Sequence, residues 1–144
     1  MKGNILVLRD LKKNSPWCDK DHAMLYACFQ LLVDFLEKEK PDSFGDFKHD
    51  KVQRARRQEM RVLYRYWKLD RPKLELKINA LLLKWSDSRK TKLVPGSLPK
   101  TTREIVLRED KRTRKLLQKA EDQFQGLEEE MLGRLIAIRR HLWC

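Results

Sequence analysis

Asp50-Lys51-Val52-Gln53-Arg54-Ala55-Arg56-Arg57-Gln58-Glu59-Met60-Arg61-Val62-Leu63-Tyr64-Arg65-Tyr66-Trp67-Lys68-Leu69-Asp70-Arg71-Pro72 sorts its side chains by helical period. Val52, Ala55, Glu59, Leu63 and Tyr66 recur at steps of three and four, with Met60 and Trp67 beside them. Arg54, Arg57, Arg61, Arg65 and Lys68 recur in the same way on another face. The segment reads as one helix from about Asp50 to Leu69, apolar on one side and basic on another. Asp70-Arg71-Pro72 then restarts the chain. Asp is a good N-cap, and proline suits a first helical turn because its missing N–H has no partner there anyway. That restart separates a second helix from a third and sets the expected helix count.

Upstream, Asn14-Ser15-Pro16 is a break, and residues 1–16 read as an N-terminal arm. Asp19 or Asp21 can cap a first helix that runs to Glu39 and stops before Pro41. Its apolar residues, among them Met24, Leu25, Phe29, Leu32, Val33 and Phe35, cover most of its circumference, which predicts a buried central helix. Residues 41–47 read as a loop whose two phenylalanines tuck against the core.

Downstream of Pro72, Leu74, Ile78, Leu81, Leu82 and Trp85 predict the buried stripe of a third helix ending near Asp87. Residues 86–98 read as a Lys-rich loop closed by Pro95-Gly96. Thr101 and Glu104 have capping-box spacing, so residues 99–144 are expected to form a long C-terminal helix, part of it protruding. From Leu117 the apolar steps of three and four continue through Phe124, Leu127, Met131, Leu135, Ile138 and Leu142, a seam suited to a homo-oligomer interface. Gly126 and Gly133 on this helix suggest a close helix approach or a kink. The expected fold is all-α: one domain over 1–144, a small bundle of about four helices with a buried central first helix.

Composition agrees with a globular chain. The 144 residues are 41% hydrophobic and 38% charged, with only five Gly and five Pro, too few for a turn-rich β-sandwich. No apolar run is long enough to span a bilayer, and the N-terminus lacks the pattern of a signal peptide. Three scattered cysteines do not make a disulfide framework, and a reducing cytosol is expected. The net charge of +12 is unevenly distributed. Residues 51–115 hold 21 basic and seven acidic side chains, while the flanking segments are each at −1. A concentrated excess of this kind predicts a surface for nucleic acid or for an acidic protein.

Two basic stripes carry that expectation. The first is Arg54, Arg57, Arg61, Arg65 and Lys68; the second is Arg108, Lys111, Arg112 and Lys115, with Lys119 beside it. Guanidinium groups suit phosphate because they engage two oxygens at once. Tyr64, Tyr66 and Trp67 lie near the first stripe and offer stacking platforms for unpaired bases. The plain alternative is a solvated face.

Chemistry-bearing constellations are sparse. His49-Asp50, with His22 upstream and Asp70 or Asp87 downstream, has the residue order of a metal-dependent HD phosphohydrolase, but Asp50 also reads simply as a helix cap. Cys18, Asp21, His22 and Cys28 lack the paired spacing of a zinc site. No GxGxxG, P-loop or GxSxG motif is present. A non-enzymatic protein without metal or cofactor is expected.

Trp17-Cys18-Asp19-Lys20-Asp21-His22-Ala23-Met24-Leu25-Tyr26, continued by Leu31-Leu32-Val33-Asp34-Phe35-Leu36-Glu37, by Glu59-Met60-Arg61-Val62-Leu63-Tyr64-Arg65-Tyr66-Trp67 and by Arg71-Pro72, resembles a family of small tailed-phage proteins. The similarity covers residues 17–72. It implies phage origin and expression in the cytoplasm of a host bacterium, and it brings no catalytic residue. The expected function is a phage accessory protein that binds nucleic acid or a nucleoprotein complex through its basic helical face. The alternatives are a host-takeover inhibitor docking on an acidic host protein, and a structural or assembly protein that oligomerises through the C-terminal helix.

Overall fold

A computed structural model of the chain describes Leu8, Arg9, Leu11, residues 19–40 and residues 50–142. Most of the expected N-terminal arm, the loop over 41–47, and Cys18, His49 and Cys144 lie outside the described residues. The described chain is mostly helical. Helix α1 (Lys20–Asp34) runs into a π turn at Phe35–Glu39. Helix α2 (Lys51–Arg65) runs through a second π turn, Tyr66–Asp70, into α3 (Arg71–Ser88). Strands β1 (Lys90–Pro95) and β2 (Thr102–Arg108) follow, then α4 (Lys111–Ile138) and a closing 3-10 turn, Arg139–His141.

Two expectations are corrected here. The fold is not an all-α bundle of four helices, but three continuous helical stretches with a two-stranded antiparallel sheet. The expected restart at Asp70-Arg71-Pro72 does not occur, because the helix passes through it. The backbone N–H of Arg71 donates to the carbonyl of Tyr66, five residues back rather than four. In a regular helix the Pro72 ring would collide with the carbonyl of Lys68. Widening the turn immediately before the proline moves that carbonyl away, so helical hydrogen bonding resumes beyond it. The second correction concerns residues 99–144. Helix α4 begins only at Lys111, and Thr102–Arg108 is a strand paired with the segment expected to be loop.

The chain divides into two compact units, residues 1–71 with 128–144, and residues 72–127. The first holds the core. Leu25, Phe29, Leu32, Val33 and Phe35 from the first helical stretch, Met60, Leu63, Tyr66 and Trp67 from the second, and Leu135 and Leu142 near the C-terminus are all buried. Phe29 stacks on Trp67 with ring centroids 4.4 Å apart and planes 4° from parallel, and Tyr26 meets Trp67 edge-on at 4.9 Å. Helix α1 buries one broad face, while Met24 on its other side is exposed. Asp50 caps α2, accepting from the N–H groups of Val52 and Gln53.

Arg71 joins this core. Only 3% exposed, it donates from Nε and Nη2 to Glu128 at 2.9 and 2.7 Å and from Nη1 to the Tyr26 hydroxyl at 3.1 Å. Its guanidinium also lies over the rings of Trp67 and Tyr26, at 4.8 and 5.1 Å from their centroids. Arg134 makes a two-pronged bond to Glu59 at 2.6 and 2.7 Å.

In the second unit, Leu117 is the one fully buried apolar side chain among the described residues. Leu74, Ile78, Leu81 and Trp85 are half-buried, whereas Leu82, expected in the same stripe, is exposed. Leu76 and Leu83 are 70% and 64% exposed. Asp110 caps α4: its carboxylate accepts from the N–H of Thr113 at 3.1 Å and from the Thr113 hydroxyl at 2.7 Å. Ser88 at the end of α3 accepts from the Asp110 N–H at 3.1 Å, which ties the base of the hairpin together. A Cβ at Gly126 or Gly133 would meet nothing within 4 Å, so neither glycine serves the close helix approach expected of it.

Candidate nucleic-acid interface

The hairpin is held by an antiparallel register that pairs Lys90 with Arg108, Thr91 with Val106, Lys92 with Ile105, Leu93 with Glu104 and Val94 with Arg103. A β-bulge interrupts the register between Lys90 and Thr91. At the tip, Gly96 N–H donates to the Thr101 carbonyl at 2.7 Å. A Cβ at Gly96 would collide with the Thr101 hydroxyl, so this turn requires glycine. Lys100 takes a left-handed conformation, φ 62°.

Side chains alternate between the faces of a strand, and directly paired residues share a face. Lys92, Val94, Arg103 and Ile105 therefore lie on one side of the hairpin, and Thr91, Leu93, Glu104 and Val106 on the other. All are exposed except the half-buried Val94. Arg108 ends β2, and Lys111, Arg112 and Lys115 follow on the first turns of α4, all exposed. An open cleft at the hairpin base is lined by Ser88, Lys90, Arg108 and Lys111 together with Asp87, Glu109 and Asp110. The Thr113 hydroxyl and N–H hold the Asp110 carboxyl below its usual range, so that acid stays ionised at the cap.

The expected site residues separate into two groups. Arg108, Lys111, Arg112 and Lys115 belong to the second unit, together with the hairpin cations. Arg54, Arg57, Arg61, Arg65 and Lys68 belong to the first. Of these, Arg54, Arg61, Arg65 and Lys68 are exposed, and Arg57 is half-buried. Arg57 and Arg61 already have partners within the chain, and Lys68 lies 3.6 Å from Glu37. Of the stacking platforms expected beside this stripe, two are buried and Tyr64 is half-buried. Tyr66 and Trp67 are core residues, and the Tyr64 hydroxyl donates to Glu37 at 2.7 Å. That bond holds the Glu37 carboxyl below, and the Tyr64 phenol above, their ordinary values.

The expected oligomer seam is likewise reduced. Leu135 and Leu142 are 3% and 6% exposed within the first unit's own core, which leaves Phe124, Leu127, Met131 and Ile138 half-buried along α4. Of the metal-site residues proposed from sequence, His22 is exposed with its ring 4.9 Å from that of Tyr26, and Asp50 is the α2 cap. Cys28 is half-buried, and that burial raises its thiol pKa, as for an unreactive core cysteine.

Sequence reasoning missed Lys90, Lys92 and Arg103 as members of the candidate basic surface because their segment read as loop and helix cap. The available signal was the β-branched run Thr101-Thr102-Arg103-Glu104-Ile105-Val106 opposite Leu93-Val94. No described helix is long and apolar enough to cross a membrane. No family model, curated protein or solved structure matches the chain.

Proposed function

We propose that the chain is a non-enzymatic accessory protein that binds nucleic acid, or a nucleoprotein complex, through the basic surface of residues 72–127. The resemblance of residues 17–72 to small tailed-phage proteins extends the proposal to a phage protein acting in the host bacterial cytoplasm. One observation carries the binding reading. Residues 72–127 hold 14 Lys and Arg against seven Asp and Glu. Among the described residues, Lys92, Arg103, Arg108, Lys111, Arg112 and Lys115 are exposed and form no ion pair. Cations presented in this way attract a polyanion and release its counterions on contact.

The test is the salt dependence of binding by the full chain, followed as fluorescence anisotropy of a labelled oligonucleotide. If Arg108, Lys111, Arg112 and Lys115 each neutralise one phosphate, affinity falls roughly 150-fold between 50 and 200 mM salt. Flat binding over that range contradicts the reading.

A second reading rests on a different observation. The exposed leucines of α3, Leu76, Leu82 and Leu83, form more apolar surface than one face of a solvated helix needs, which favours docking on a protein. An acidic host protein, as in host takeover, fits the charge of the same unit. Retention of one stoichiometric protein from nuclease-treated bacterial lysate, lost in Leu76→Lys/Leu83→Lys, would favour it.

A further inference from the structure

We infer that the nucleic acid is duplex DNA and that the β1–β2 hairpin enters its major groove with the face that carries Lys92 and Arg103. This rests on the nucleic-acid reading above and adds the form of the ligand and the element that meets it.

Three observations converge. First, every described Phe, Tyr and Trp side chain is buried or half-buried, so the described residues offer no fully exposed ring of these types on which unpaired bases could stack. Stacking is the main sequence-tolerant contact to single strands, and a protein without it relies on groove and backbone. Second, the hairpin stands as a bare ribbon. Its sheet has two strands only, so both outer edges are unpaired among the described residues, and seven of the eight central side chains on its two faces are exposed. A lone two-stranded hairpin is marginal in water and gains from being covered. Its six paired positions span about 20 Å, and a two-stranded ribbon fits the roughly 12 Å width of the B-form major groove. The deep, narrow major groove of A-form RNA does not admit it.

Third, the two faces differ in charge. Lys92 and Arg103 share theirs with Val94 and Ile105 and with no carboxylate, while Glu104 lies on the opposite face. A polyanion is therefore met by one face and repelled by the other. On the favoured face Arg103 has the fork that binds guanine O6 and N7, and Val94 and Ile105 offer apolar contact for thymine methyl groups. Arg108, Lys111, Arg112 and Lys115, leading from the hairpin into α4, supply the flanking phosphate contacts.

The experiment compares the full chain on a 20-base-pair mixed-sequence DNA duplex, the matching RNA duplex and the single DNA strand at one salt concentration. Dimethyl sulfate footprinting of guanine N7 on the DNA duplex accompanies it. The expected result is at least tenfold preference for duplex DNA over both others, with N7 protection. Lys92→Ala/Arg103→Ala should lower duplex affinity about tenfold or more and erase the protection, and Glu104→Ala should leave both in place. Arg103→Lys, which keeps the charge and the exposed position, should retain affinity better than it retains N7 protection. Equal binding to the two duplexes, tighter binding to the single strand, or unprotected N7 overturns the inference while leaving the nucleic-acid reading intact. Absence of binding to all three, or full competition by polyglutamate at equal charge, overturns both.

Discussion

In the unit formed by residues 1–71 and 128–144, several cations end on carboxylates, although Arg54 and Arg65 stay exposed. Arg71 meets Glu128, Arg134 meets Glu59, Lys68 meets Glu37, and Arg9 and Lys38 meet Asp34. In residues 72–127, Arg114 pairs with Glu109, but the hairpin and the first turns of α4 hold their other cations out to solvent. Most of the buried apolar side chains lie in the first unit, although Met24, Val52 and Leu69 there are exposed. The first unit stacks Phe29 on Trp67 and buries them, while the second leaves Leu76, Leu83 and Leu93 exposed. The same residue types build a folded core in one place and an exposed surface in the other. Net charge is thus a poor map of a binding face until each cation's partner is known.

The largest expected effect tests the first side of this contrast. Arg71→Ala leaves Glu128 uncompensated beside a packed aromatic cluster and should cost about 3–5 kcal/mol in chemical denaturation. Replacing both partners, Arg71→Met with Glu128→Leu, should cost much less, because no charge is then stranded. A single loss no larger than that of the pair would show that the guanidinium is not integrated into the core.

Next in size is the exchange of roles between units. Lys111→Glu/Arg112→Glu/Lys115→Glu should remove most nucleic-acid binding, on the order of 100-fold, with little change in the denaturation midpoint. Arg57→Glu/Arg61→Glu/Arg65→Glu should shift the midpoint as well, since Arg57 and Arg61 are engaged within the chain. If the two triple variants behave alike, the contrast fails.

Acid should separate the units by a smaller margin. Hydrogen bonds from Arg134 lower the pKa of Glu59, and the Tyr64 hydroxyl lowers that of Glu37. For Asp34, burial pushes upward, but donors on Arg9, Lys38 and Gln30 outweigh it and leave the carboxyl lowered. A carboxylate with a depressed folded pKa contributes stability above its unfolded value, near 4, and that contribution is lost as pH falls through the folded value. Among the described residues, the second unit has one such group, Asp110. Between pH 5 and pH 2, amide protection in α1 and α2 should therefore fall before that at the start of α4, as read by hydrogen exchange.

The smallest expected effect is a gain. Gly126→Ala and Gly133→Ala have free space for the methyl group and should each stabilise α4 by about 1 kcal/mol. A loss at either position would reveal a close partner.

Much of the first unit was legible in the sequence. The period of residues 50–69 puts Leu63 and Tyr66 on an apolar stripe with Met60 and Trp67 beside it, and all four are buried, while Val52 and Ala55 at the start of the stripe are exposed. Asp50 reads as a cap and is one. Pro72 misleads because its local preference for a first turn is real, while the π turn that lets a helix absorb it depends on hydrogen bonds made elsewhere in the same turn. Arg71 misleads because a charged residue is rarely buried unless paired, and its partner lies 57 positions away. The hairpin escaped notice because neither face is packed, so its alternation never sorts apolar from polar residues. Lys92 and Arg103 are paired across strands only through register, which composition does not carry. The candidate interface was half visible: α4's cations could be read from spacing, the hairpin's could not.

The unpaired edges of the hairpin also bear on how these molecules behave toward one another. An open strand edge is a template for a second edge, and lysines along it are a common safeguard against such pairing. Lys90 and Lys92 occupy β1 in that role. Salt that would strip away the polyanionic partner proposed above also screens those lysines. Concentrated protein at high ionic strength is thus the state most exposed to edge-to-edge aggregation, and moderate salt is the safer condition for storage.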